Sequence, residues 1–451
     1  MTARTFPDAP ATEPAGLRPA QLAWLAAAVF VVSSGYGALM PLLPGWLAPM
    51  MAGATATEVA RQVGFLSGVY AAGVLVGALM WGVVSDRFGR GRILIIGLIG
   101  YVTSLLLVLL PAIESLWVVY ALRGSTGLFV AAVIPVVAAL VAEHTPQAQR
   151  ARRFAWLGAM SLLGFLFGPG LIIVAGWVGS WFGDAAVSAT LSARIVLLLS
   201  ALLGAVMMLG LAVTLPPSHA AAAAAADRSP SATSGQGRPV ALLWLNGALM
   251  FVLAGFELGI VLQGQQEGGQ SSRQAALMFV ECSLVMLGVN AVLFFTSLLE
   301  RIAARMLIAT GLLLAMAGLA VLTRHNSELW MYLGVSLASA GTGLVLPVIA
   351  YLAAGTAAHK LGATMGGLAA AAGLGQTLGS AAGGWLFGIF AQRSFGLLAV
   401  PLVAMLVLLL ARPLWWAGAA AGLTRDTSRQ PGTRPIPQGG AAPGRVRDPH
   451  A

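Results

Sequence analysis

The chain has 451 residues, 58% of them hydrophobic and 9% charged, with 56 glycines and a mean hydropathy of +0.87. Soluble globular domains carry roughly 25% charged residues, so this composition excludes a cytosolic enzyme, a nucleic-acid-binding domain and a disordered protein, and defines a polytopic membrane protein. The single cysteine, Cys282, excludes a disulfide framework and a cysteine-based zinc site, and the net charge of +10 has to be read by position rather than as a sum.

Residues 1–20 hold Pro7, Pro10, Pro14 and Pro19 with Asp8 and Glu13, and form a cytoplasmic N-terminal tail. The apolar run behind them outlasts the core of a signal peptide. A helix needs about 20 apolar residues to cross the hydrocarbon. Twelve stretches meet that length: 21–43, 62–84, 93–111, 116–140, 154–178, 195–215, 240–262, 274–298, 306–322, 329–352, 364–389 and 395–411. In lipid each segment must close its own backbone hydrogen bonds. Stretches such as Ile93 to Leu110 are apolar on every face rather than on alternate residues, so the expectation is an all-α fold of twelve transmembrane helices. Residues 216–239 combine Pro216, Pro217, an alanine run and a Ser/Pro/Gly mixture, the composition of a flexible cytoplasmic linker. It separates a six-helix bundle over 21–215 from a second over 240–411, and 412–451 is expected to be a disordered cytoplasmic tail.

The two bundles resemble each other. Pro135-Val-Val-Ala-Ala-Leu matches Pro347-Val-Ile-Ala-Tyr-Leu, Gly164-x-x-x-Gly168 matches Gly375-x-x-x-Gly379, and Asp86-Arg87 matches Glu300-Arg301, at offsets of 212, 211 and 214. Three pairs in order at nearly one offset indicate six-helix pseudo-repeats, an architecture that places a cavity at the interface of its halves. With the N-terminus inside, 19 of the 25 Lys and Arg fall in inside segments and 5 in outside loops, with Arg123 inside a span. Cytoplasmic loops retain basic residues, so both termini are expected in the cytoplasm. The basic pI is loop orientation, not affinity for nucleic acid.

Three motifs carry more than topology. The loop after the second span reads Gly82-Val-Val-Ser-Asp86-Arg87-Phe-Gly89-Arg90-Gly91-Arg92, with glycine for a tight turn, an acid suited to a helix N-terminus and arginines able to pair with it. The fourth span carries Arg123-Gly124-x-x-Gly127, and the fifth Gly164-Phe-Leu-Phe-Gly168-Pro169. Together these resemble the signatures of the major facilitator superfamily, most closely its twelve-span drug–proton antiporters. The resemblance implies the major facilitator fold. It assigns Gly82, Asp86, Arg87, Gly89 and Arg90 to a loop that latches the inside gate, and Gly164, Gly168 and Pro169 to a helix-packing motif. The chain departs from the pattern at Gly91, where a basic residue is usual, and at Ile172 and Ile173, where a glycine pair is usual.

Charges within spans are the remaining candidates. Arg123, Glu257 and Glu281 fall at similar distances from the outer ends of their spans, so they are expected in one layer. A buried ionisable group is costly unless it has a function; for Arg123 the alternative is snorkelling to the outer interface. Desolvation favours the neutral carboxyl and a nearby guanidinium the charged one, so a carboxyl held between them suits proton coupling. Tyr36, Asn246, Phe256, Asn290 and Gln376 are candidates for the substrate cavity, against interhelical hydrogen bonding or packing as the alternative. No phosphate-binding glycine loop occurs, and the histidines lack metal-ligand spacing. Neither enzyme activity, a cofactor nor a metal is expected.

The expected function is secondary active transport of a small organic solute by alternating access, with proton-coupled efflux of apolar or amphipathic compounds across the cell's inner membrane. The expected partners are the solute, protons and the bilayer, with a monomer as the working unit and no nucleic acid. Two alternatives stay open: a nutrient or metabolite uniporter or symporter of the same fold, and a transport-inactive sensor or scaffold.

Overall fold

A computed structural model describes residues 17–110, 115–145, 147–181, 189–215, 238–266, 272–296, 298–325, 327–354 and 358–411. Residues 1–16 of the N-terminal tail, nearly all of the linker at 216–239 and the tail from 412, with Trp415 and Trp416, lie outside the described residues, and the last two tail residues, Pro19 and Ala20, already belong to the first helix. Among the described residues there is no strand. The long helices are α1 (Pro19–Met51), α2 (Ala56–Phe88), α3 (Arg90–Val108), α4 (Leu116–Glu143), α5 (Gln147–Ser180) and α6 (Ala189–Thr214). The second set is α7 (Arg238–Gln266), α8 (Ser272–Phe295), α9 (Ala304–Arg324), α10 (Glu328–Ala354), α11 (Ala358–Phe390) and α12 (Val400–Ala411).

Eleven helical stretches among the described residues are long and apolar enough to cross a membrane, and the last of them, Gly366–Ala411, is 46 residues long. At ~1.5 Å per residue that is more than twice the hydrocarbon thickness. It is two crossings joined at Ala391, whose φ of 47° opens a 3₁₀ turn over Ala391–Arg393. The crossings of α11 and α12 therefore bring the total to the expected twelve.

Local sequence explains where helices start and where they deform. α2 begins six residues earlier than its apolar run because Thr55 caps it. The Thr55 hydroxyl accepts from Glu58 N at 3.3 Å, and the Glu58 carboxylate accepts from Thr55 N at 2.8 Å. α1 is α-helical to Leu39 and then alternates 3₁₀ and α turns to Met51, because Pro41, Pro44 and Pro49 each remove a donor. α4 is broken at residues 131–133, ahead of Pro135, into Leu116–Val130 and Ile134–Glu143, whereas its counterpart Pro347 sits inside an uninterrupted α10.

Glycines set the helix packing, and in both halves they do it the same way. A Cβ on Gly164 would strike the Phe30 carbonyl of α1. One on Gly168 would lie 2.7 Å from Ala38 N and 2.8 Å from Ser34 O. In the second half, Cβ atoms on Gly375 and Gly379 of α11 would strike the carbonyls of Gly247 and Phe251 on α7. The pair α5 on α1 is thus repeated as α11 on α7, by the same Gly-x-x-x-Gly spacing. Substituting Gly168→Val has to displace backbone rather than a side-chain tip, and overpacking of this kind costs about 1–3 kcal/mol or more. Thermal unfolding in detergent should show Gly168→Val clearly destabilised. Gly170→Ala, with nothing within 4 Å of its Cβ position, should match or exceed the native protein.

The halves meet chiefly along α2 and α11. Gly64 faces Gly384, Gly68 faces Thr377 and Ala381, and the Thr57 hydroxyl donates to the Gly388 carbonyl at 2.8 Å. A second contact joins α5 and α8, where the rings of Phe165 and Phe279 are 5.7 Å apart. These close approaches fall on residues 57–75 of α2 and 373–388 of α11. Towards the other end of the same helices, Gly82 and Gly366 have nothing within 4 Å of their Cβ positions.

Candidate functional site

The loop motif lies at the α2–α3 junction. Gly89, with φ 93° and ψ 131°, ends α2 and starts α3 in a conformation that L side chains rarely adopt. Asp86 does not sit at a helix N-terminus; α2 runs on to Phe88, which puts Asp86 in its last turn. There Arg90 Nη2 reaches Asp86 Oδ1 at 3.2 Å and Glu143 Oε1 at 2.9 Å. Arg90 thus ties the ends of α2 and α4 together. Both carboxylates are about half exposed, so each pair contributes about 1 kcal/mol or less. Gly82 and Arg87 are exposed. Glu143 lacks a motif of its own, and its signal was its place at the end of the fourth span, on the face that carries the loop.

The charges within the spans are organised by tyrosines. Arg123 is buried at 5% exposure and does not snorkel; its guanidinium carbon lies 4.3 Å from the centroid of the Tyr70 ring on α2. Tyr70 stacks on Tyr36 of α1 with centroids 5.2 Å apart, and the Tyr36 hydroxyl donates to Glu257 Oε2 on α7 at 3.4 Å. Glu257 is itself buried, at 7% exposure. A line from Arg123 through Tyr70 and Tyr36 to Glu257 therefore crosses from one half to the other. No ion pair joins Arg123 to a carboxylate among the described residues. Sequence reasoning placed Tyr36 near the cavity but gave Tyr70 no role, because an aromatic residue in a membrane helix is ordinarily packing.

Glu281 is apart from that line. Its carboxylate accepts a hydrogen bond from the Ser336 hydroxyl of α10, and its Oε2 is buried with no partner among the described residues. Both glutamates lie nine residues from the ends of their helices, Gln266 and Ser272, hence at about 13 Å along the axis.

The other cavity candidates occupy varied places. Asn246 is buried and donates to the Leu368 carbonyl of α11 at 2.8 Å, which ties α7 to α11. Asn290 donates to Met286 O in its own helix at 2.8 Å, Phe256 is fully buried in the core, and Gln376 is half-buried on α11. Aromatic rings extend the central line instead: Phe165 lies 5.9 Å from Tyr36 and 5.7 Å from Phe279 of the other half. A separate crevice of about 890 Å³ lies between α2, α4 and α11, lined by Arg61, Phe65, Trp117, Tyr120 and Trp385.

Two alike sets of apolar helices, packed by glycine and meeting over a buried polar and aromatic line, define a polytopic helical membrane protein. The chain belongs to the major facilitator superfamily, whose family model matches residues 25–293. It is 37% identical over 148 residues to a class B tetracycline resistance protein of Escherichia coli, covering 32% of this chain and 34% of that one. It is 28% identical over 351 residues to a class G tetracycline resistance protein of Vibrio anguillarum, covering 74% and 82%. The first match thus spans about a third of that relative's length. The crystal structure of the human organic anion transporter MFSD10 is similar in fold, with a TM-score of 0.62, 19% identity and coverage of 87% of this chain and 100% of that one.

Proposed function

We propose that this transporter is a proton-coupled exporter of small apolar or amphipathic organic compounds, resident in the inner membrane with both termini in the cytoplasm. The observation that carries the reading is the hydrogen bond from Tyr36 to Glu257, which joins the two halves at a buried carboxyl. Glu257 is the proton carrier, and Arg123 tunes it through the two stacked tyrosines. Glu281, held by Ser336 on α10, stands apart from this line as a second candidate carboxyl. Phe165, Phe279 and Tyr36 offer flat apolar faces to a ring-bearing cargo, with Asn246, Phe256, Asn290 and Gln376 as the surrounding shell.

The two bundles, 21–215 and 240–411, rock about this line. With the basic loops inside, the α2–α11 contact seals the outer end, so the conformation faces inward. Arg90, bound to Asp86 and Glu143, braces the inner rim, with Arg87, Gly82 and Gly89 shaping its turn, and Gly164, Gly168 and Pro169 hold α5 against α1. The chain's relatives include tetracycline resistance proteins, which favours organic cargo moving outward.

The test is reconstitution into vesicles with a lumenal pH dye and an imposed proton gradient. Ethidium or tetracycline should collapse the gradient. Collapse with a polar metabolite alone would make the chain a nutrient carrier, and no response to a broad panel in protein that binds none of its members would make it a sensor or scaffold.

A further inference from the structure

Inside the N-terminal bundle, on the Arg123 end of the tyrosine line, four polar atoms are buried without a partner in hydrogen-bond geometry among the described residues: Arg123 Nε, Arg123 Nη2, Tyr101 Oη and Ser200 Oγ. The three side chains come from α4, α3 and α6. They line one small cavity of about 10 Å³, together with Gly35, Tyr36, Tyr70 and Thr126.

A buried donor without an acceptor is destabilising, and an unpaired buried charge more so. Stacking on Tyr70 favours the cation but supplies no hydrogen-bond acceptor to its N–H groups. Glu257 is reached only through two intervening rings. Thr126 is already committed, its hydroxyl donating to the Leu122 carbonyl at 2.7 Å. All four atoms can act as donors, two as N–H and two as O–H, and the two hydroxyls also lie close enough to interact with each other. A water molecule can accept from both guanidinium N–H groups but leaves the positive charge uncompensated. An anion accepts from all four and neutralises it. The space matches a single water-sized occupant, which admits a monatomic anion and excludes carboxylates, phosphate and sulfate.

We propose that Arg123, Tyr101 and Ser200 bind a chloride ion. The site adjoins the line at Tyr36, whose hydroxyl bonds Glu257, and the ion acts as a resident counter-charge that keeps the guanidinium in place while Glu257 gains and loses its proton.

Thermal unfolding of the purified full chain in detergent tests this directly, with chloride replacing gluconate at constant ionic strength. The native protein should show a saturable rise in Tm of roughly 2 °C or more, reproduced by bromide. The rise should vanish in the double variant Tyr101→Phe/Ser200→Ala, which keeps the arginine and removes both hydroxyls. It should also vanish in Gly35→Ala, whose added Cβ would stand 2.5 Å from Tyr101 Oη and 3.4 Å from Ser200 Oγ and so fills the cavity. Equal Tm values for the native protein in chloride and gluconate would overturn the proposal and leave the cavity to water. A rise that does not saturate and persists in both variants would overturn it as a general salt effect.

Discussion

Glu257→Gln is expected to reduce proton-driven export of ethidium or tetracycline to the level of protein-free vesicles, while the protein still expresses, folds and binds ligand. Glutamine keeps the size of the side chain and still accepts from the Tyr36 hydroxyl, so the seam between α1 and α7 is preserved; only the titratable group is lost. Downhill exchange of labelled for unlabelled compound, which needs no proton, should persist at near the native rate. Tyr36→Phe should give a milder defect. It removes one long hydrogen bond, worth about 1 kcal/mol or less, and leaves the stack on Tyr70 and the carboxyl itself. Proton uptake in vesicles together with radiolabel exchange separates the two outcomes. If Glu257→Gln lost exchange along with coupling, the carboxyl would be holding the cargo or the fold rather than the proton.

Gly384→Val should fail differently. A Cβ at Gly384 would lie 2.5 Å from Gly64 Cα and 2.6 Å from the Ala60 carbonyl. All of these are backbone atoms, and none can turn aside. The contact belongs to the seal between halves rather than to either bundle, so valine should leave each bundle folded and hold α2 and α11 apart. The conformer described here would become inaccessible, and transport in both modes would stop. The native Cys282 is buried, so a cysteine introduced at Ala60, itself 1% exposed in the α2–α11 contact, can be read with little background. It should be slow to react with an impermeant maleimide in the native protein and fast in Gly384→Val. Equal labelling of both would remove α2–α11 as the gate.

The sequence exposed the fold more fully than the site, for physical reasons. A helix that must cross lipid is apolar on every face, so the spans announce themselves without homology, and the Gly-x-x-x-Gly pairs predicted which helices pack alike. Helix ends were less legible. α2 was expected over 62–84 and extends to Ala56–Phe88, and α11 was expected over 364–389 and extends to Ala358–Phe390, because capping and polar end turns prolong a helix beyond its apolar run. Nor could Pro135 and Pro347 be told apart, although one breaks its helix and the other does not; the packing around each decides.

At the site, Arg123, Glu257 and Glu281 stood out as charges in apolar runs. Their partners did not. Tyr36 and Glu257 are 221 residues apart, and Ser336 and Glu281 are 55 apart. Tyr70, Ser336 and Glu143 are residue types that membrane helices and their ends carry for many reasons, and only their neighbours in space distinguish them. Within that set of charges, Arg123 and Glu257 are joined by a line of rings, and Glu281 is held separately by its own serine.

The central claim is that cargo and proton compete through Glu257, and proton release on binding tests it most directly. Ethidium or tetracycline is titrated into detergent-solubilised protein in weakly buffered solution with a pH indicator, at a pH where the carboxyl is occupied. The native protein should release protons in step with ligand binding. Glu281→Gln should retain the release, and Glu257→Gln should bind ligand with none. Native-sized release from Glu257→Gln would contradict the account and move the proton to another group.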